Sequence, residues 1–211
     1  MKTTLMSFIL VFISLVALAN EKYEQAMQSN IQAVYQAKTS EELQQAVNSF
    51  ERIGNAEKNK WEPYYYASFG YLMKATRESD GAKKDVFLDK AAEVLKKAAA
   101  INANDSEIVA LEGFIYMIRV TVDPATRGQQ YSGLAMQTFG KAISLNPENP
   151  RALSLMAQME YGTAQFFKAP TDKACETGKQ AVEKFETFNS NNPLAPRWGK
   201  ESAIRFVQQC K

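Results

Sequence analysis

Histidine is absent from this chain of 211 residues. That absence removes the usual zinc ligand and the commonest general base near neutral pH, and it makes a Ser-His-Asp triad impossible. Cysteine is nearly absent too: Cys175 and Cys210 stand alone, 35 positions apart, and no Cys-X-X-Cys pair exists to support redox catalysis. Neither a phosphate-binding P-loop nor a zinc motif occurs in the sequence. Glu107, Glu112 and Glu160 could in principle do carboxylate chemistry, but nothing in their spacing separates them from ordinary solvated helix charges. No charge sign dominates. The 25 Lys and Arg against 23 Asp and Glu give a formal +2 spread along the chain, which leaves no footprint for nucleic acid.

A membrane-spanning run is also missing. The apolar stretch from Leu5 to Leu18 has 14 residues, short of the roughly 20 that a spanning helix needs. With Met1-Lys2 before it and Ala17-Leu18-Ala19 after it, this stretch predicts a signal peptide over 1–19 and a mature start at Asn20. The expectation is therefore export into an oxidising compartment, a bacterial periplasm or the exterior. No stable membrane insertion is expected after cleavage, and residues 20–211 are expected to form one domain.

What the chain does have is a repeat. Ala46, Phe50 and Ile53 return as Ala91, Leu95 and Ala98, as Ala135, Phe139 and Ala142, and as Ala181, Phe185 and Phe188. The steps are 45, 44 and 46 residues, with the internal spacing of four and then three kept each time. Those strides follow one face of an α-helix, and a helical trio at fixed period predicts stacked helix pairs. Asn, Asp and Pro follow the trios at Asn102–Asp105, Asn146–Asn149 and Asn191–Pro193, where they end one helix and cap the next. The preceding helices align as well: Tyr64, Ser68 and Tyr71 correspond to Val109, Gly113 and Tyr116, then to Leu153 and Ala157. The small middle residue permits close helix approach.

These residues resemble the tetratricopeptide repeat family. Ala135-Phe139-Ala142-Leu145-Pro147 matches the second-helix half of the family pattern, and Ala91-Leu95-Ala98-Ile101 matches it with Ala103 in place of the Pro. The resemblance implies an all-α fold: a right-handed α-solenoid of four helix pairs plus a C-terminal capping helix over about 196–209. The family period is about 34 residues, so ten or so are surplus in each of units two to four. They lie near 76–85, 121–133 and 162–177, and either project as loops from one edge or lengthen the helices. Ser40 is expected to cap the second helix, and Asp123-Pro124 to open a turn before a new one. Gly162 to Phe167 reads as either an exposed aromatic loop tip or a buried plug, the plug being favoured.

The two cysteines lie 17 and 18 residues from a turn centred near Asn192. Equal arms of an antiparallel hairpin bring such thiols level, which predicts a Cys175–Cys210 disulfide. In the implied solenoid the first helix of each pair lines the concave face. Tyr65, Phe69 and Met73, then Phe114 and Met117, then Arg151, Gln158 and Tyr161 are the candidate partner-binding residues there. The aromatic members are at helical spacing and could equally be core. The expected function is a non-catalytic exported scaffold that holds a protein or peptide, needing no metal or cofactor. The alternative is a small-molecule or lipid binder that uses the Tyr/Phe/Met groove.

Overall fold

A computed structural model of the chain describes residues 20–210, so the expected signal peptide lies outside the described residues. Among the described residues nine helices follow one another: α1 (20–36), α2 (Ser40–Ala56), α3 (Glu62–Arg77), α4 (Gly81–Ile101), α5 (Ser106–Val120), α6 (Pro124–Leu145), α7 (Pro150–Phe166), α8 (Asp172–Thr187) and α9 (Lys200–Gln209). There is no strand among the described residues. From α2 onward each helix packs against the next, and α9 closes on α8. α1 buries Met27 and Val34 in the same core as Leu43, Val47 and Phe50 of α2.

The starts are written by short polar side chains. Thr39 caps α2 in a reciprocal box with Glu42, one residue earlier than the expected Ser40. Asp80, Asp105, Asp123 and Asn149 accept from the first free N–H groups of α4, α5, α6 and α7. Pro124 and Pro150 occupy first-turn positions that need no amide donor.

The repeated trios face inward as their spacing predicts. Ala91, Ala98, Ala135, Phe139, Ala142 and Ala181 are fully buried. Gly113 shows why a small residue stands opposite such a trio: a Cβ there would lie 2.5 Å from Cε1 of Phe139, so the ring rests on bare α5 backbone. Ser68 sits at the matching place in α3 and donates its hydroxyl to the Ala91 carbonyl at 2.8 Å.

The surplus of each period is helix rather than loop in units two and three. α4 has 21 residues and α6 has 22, against 17 in α2, and the links before them are only three residues long. The extra turns are tied together by charge. Arg127 on α6 makes two bonds to Asp85 on α4, at 2.7 and 2.8 Å, and Arg119 on α5 reaches Asp85 and Asp89. In unit four a five-residue link remains, over 167–171.

At the C-terminus Cys175 and Cys210 form a disulfide, with Cα atoms 5.6 Å apart. The hairpin that joins them is not two helices meeting at a tight turn. α9 begins at Lys200 instead of near Pro196, and residues 188–199 form an extended strap between α8 and α9. The bend back into α9 is made at Gly199, whose φ of 104° disfavours a side chain. A Cβ there would also meet Phe185 and Arg151, at 3.0 and 3.3 Å.

Candidate functional site: the strapped concave groove

The first helices of the four pairs, α1, α3, α5 and α7, share the concave side, and the strap lies along it. Its hydrogen bonds reach α3 three times and α1 and α7 once each. Asn192 donates to Glu62 at the start of α3, and the Leu194 carbonyl accepts from the Tyr66 hydroxyl at 2.7 Å. The Arg197 amide donates to Tyr35 on α1. The Trp198 indole donates to Tyr65 on α3 at 3.0 Å, and the Trp198 carbonyl accepts from Arg151 on α7. Leu194 is only 3% exposed and Pro196 is buried as well, so these two residues anchor the strap in the fold while residues 189–191, Pro193 and Arg197 stay exposed.

Trp198 is the centre of the arrangement. Its ring stacks on Phe69 at 5.3 Å and on Phe114 at 5.8 Å, with interplanar angles of 25° and 27°. Three rings from α3, the strap and α5 thus run nearly parallel, a geometry favoured by the ring quadrupoles. Beside them lies a cavity of about 210 Å³, lined by Phe69, Met73, Phe114, Leu155 and Gln158 together with Trp198. Its lining is mostly apolar, with Ser154, Ser202 and the Gln158 amide as its neutral polar groups.

Arg151 stands at the inner wall and is 1% exposed. Glu107 takes two parallel bonds from its guanidinium, at 2.6 and 2.7 Å, and the Phe188 ring covers it at 4.4 Å. Burial pushes the Glu107 carboxyl up from its ordinary value, against the pull of Arg151. For Arg151 burial opposes the charge, yet the Glu107 hydrogen bonds and charge carry it above its usual value. A bidentate pair of this kind uses up the charge of Arg151 within the protein.

The structure brings five of the eight sequence candidates to the cavity wall: Phe69, Met73, Phe114, Arg151 and Gln158. Tyr65 is fully buried beneath it, in a cluster with Trp61 and Tyr66, and reaches the site only through its hydroxyl. Met117 is half-buried against the α6–α7 side of the core, and Tyr161 packs edge-on to Phe206 of α9. Sequence reading missed Trp198, Gly199 and Ser202, because nothing periodic marks the segment that carries them. The expected buried plug at Phe166-Phe167 is overturned, since the two rings are 78% and 72% exposed.

A second, larger cavity of about 350 Å³ lies between α4 and α5, away from the strap. Its rim is bonded to itself, Arg119 to Asp89 and Tyr116 to Glu112. Its floor is aliphatic, made by Ala92, Leu95, Ala99, Ile108 and Ile115, and its two aromatic rings, Tyr116 and Tyr131, stack on each other at 6.3 Å.

No family model and no curated protein sequence matches the chain. Solved structures do. A thermophilic tetratricopeptide repeat protein from Thermus thermophilus, TTC0263, superimposes with a TM-score of 0.56 over 92% of this chain and 96% of its own, at 16% identity. The chain is a tetratricopeptide-repeat-like solenoid. The HusA haemophore from Porphyromonas gingivalis matches this solenoid with a TM-score of 0.80, at 26% identity, over 90% of this chain and 92% of that one.

Proposed function

We propose that this solenoid is an exported, non-catalytic carrier of a planar apolar ligand of the tetrapyrrole class, held in the concave groove against Phe69 and Phe114. The likeness to the haemophore, at 26% identity over 90% of the chain, carries the reading. The expected signal peptide and the Cys175–Cys210 disulfide support export.

The groove has the aromatic and apolar lining that such a ligand needs, but with the strap in place not its volume. Ligand cavities commonly run from about 300 to 1,000 Å³, and the 210 Å³ beside Trp198 falls short of that. The indole itself takes up the stacking surface of both Phe69 and Phe114. In this reading Trp198 is a stopper: a flat ligand takes over its stacking on Phe69 and Phe114 while the strap moves outward. Tetrapyrrole affinity here rests on stacking and on exclusion of water. A chain without His can offer an iron atom only weaker or less usual ligands, such as the sulfur of Met73.

One observation favours the peptide-holding scaffold as a second reading. The strap is itself a non-helical segment bonded to α1, α3 and α7 and stacked through Trp198 on Phe114 of α5, so the face accommodates such a segment. Purifying the protein from its native compartment and identifying what travels with it separates the two. A bound tetrapyrrole supports the carrier, and a defined peptide or protein with no pigment supports the scaffold.

A further inference from the structure

Residues 165–170 form an unbroken exposed stretch at the end of α7, and two of its members are phenylalanines. Phe166 and Phe167 are 78% and 72% exposed, the largest such values among the exposed large apolar side chains of the described residues, and they touch each other edge-to-face at 5.1 Å. A floppy loop would explain stray exposure, but the local geometry is closed. The Ala169 amide donates to the Ala164 carbonyl at 2.8 Å and the Lys168 amide to the Gln165 carbonyl at 3.2 Å. These are the two bonds of a Schellman helix end. The left-handed residue that completes it is Lys168, at φ 53°, where glycine is usual. The chain accepts backbone strain to hold two rings in water, with a lysine directly beside them.

The geometry points to this turn as a peripheral contact with an anionic lipid surface: Phe166 and Phe167 enter the acyl boundary while Lys168 and Lys173 face the headgroups. Lys173 is 84% exposed at its side chain and is bonded to Glu160, and Asp172 stands beside it. The shape decides between kinds of partner. A stable protein interface needs about 800 Å² from each side, and two adjacent exposed side chains supply a small part of that. A fluid bilayer needs no matching surface. Two rings bury less apolar area than a single myristoyl chain, whose binding is already marginal and reversible, so the contact is transient and acts with the lysines as a second signal. No helix among the described residues is long and apolar enough to cross a membrane.

Co-sedimentation with vesicles tests this. The purified protein is mixed with vesicles of phosphatidylcholine alone and with vesicles containing equal phosphatidylglycerol. The expected result is partition onto the anionic vesicles, at least about tenfold weaker for Phe166→Ser/Phe167→Ser, with melting unchanged because both rings are exposed. Lys168→Glu/Lys173→Glu is expected to lose the preference for anionic vesicles. A native protein that ignores vesicles, or a double Phe variant that binds them equally, overturns the proposal. So does a concentration-dependent dimer, lost in the double Phe variant, with no vesicle binding; that result would assign the tip to contact between copies of this chain.

Discussion

Trp198 donates its indole N–H to the hydroxyl of Tyr65 across 133 residues of sequence. That bond joins the strap behind the last repeat to the start of the second, and it holds the indole where it stacks on both Phe69 and Phe114. The C-terminal hairpin therefore does more than cap the end of the solenoid. It closes the concave face.

Removing the indole should separate the structural part of Trp198 from its part in binding. Trp198→Ala is expected to lower stability by about 2–3 kcal/mol, less than a fully buried Trp would cost, since the ring is only partly covered. The same change should tighten binding of a planar ligand by about tenfold, because the ligand no longer has to displace a stacked ring. Thermal melting and a porphyrin titration on one preparation measure both. Weaker binding by a well-folded variant would show that the indole belongs to the ligand site and is not its stopper.

The Cys175–Cys210 bridge closes a loop of 36 residues that contains the whole strap. Chain entropy for a loop of that length corresponds to about 4 kcal/mol. In a domain of this size a loss of that order lowers Tm by roughly 8–15 °C. Denatured protein without reductant should show no free thiol, and reductant should produce two thiols together with the fall in Tm.

Six of the nine tyrosines have phenols held above their ordinary value of 10: Tyr23, Tyr35, Tyr65, Tyr66, Tyr71 and Tyr116. Burial is the first cause in each case. A folded value raised above the unfolded one means that the unfolded chain releases protons first as the pH rises. The stabilisation is complete below pH 10 and declines above it. The phenolate absorbance of these six and the circular dichroism, followed together, should change in one cooperative alkaline step. Free titration of these six phenols with the helices intact would contradict the burial described here.

The solenoid was legible because its packing is periodic. A trio at spacing four and three has to face inward on a helix, and Phe139 over Gly113 is that rule made physical. The disulfide was legible from equal distances to a turn, even though the turn proved to be a twelve-residue strap. The strap itself has no period to read. Its trace in the sequence is Leu194 and Trp198, two large apolar residues in a Pro- and Asn-rich link longer than the 2–8 residues that usually join bundle helices. Phe166-Phe167 misled for a related reason. Two adjacent aromatics at a helix end look alike whether covered or exposed, and the Schellman turn that turns them outward depends on the backbone at Lys168.

A spectroscopic titration with haem and with iron-free protoporphyrin tests the central claim most directly, using the native protein beside Phe114→Ala. Both ligands are expected to bind saturably and one-to-one, with affinities within about tenfold of each other, since stacking and not iron ligation holds them. Phe114→Ala, with its fold verified by circular dichroism, should weaken both by at least about tenfold. Absence of saturable binding would contradict the carrier, and binding indifferent to Phe114 would place the ligand outside the concave groove.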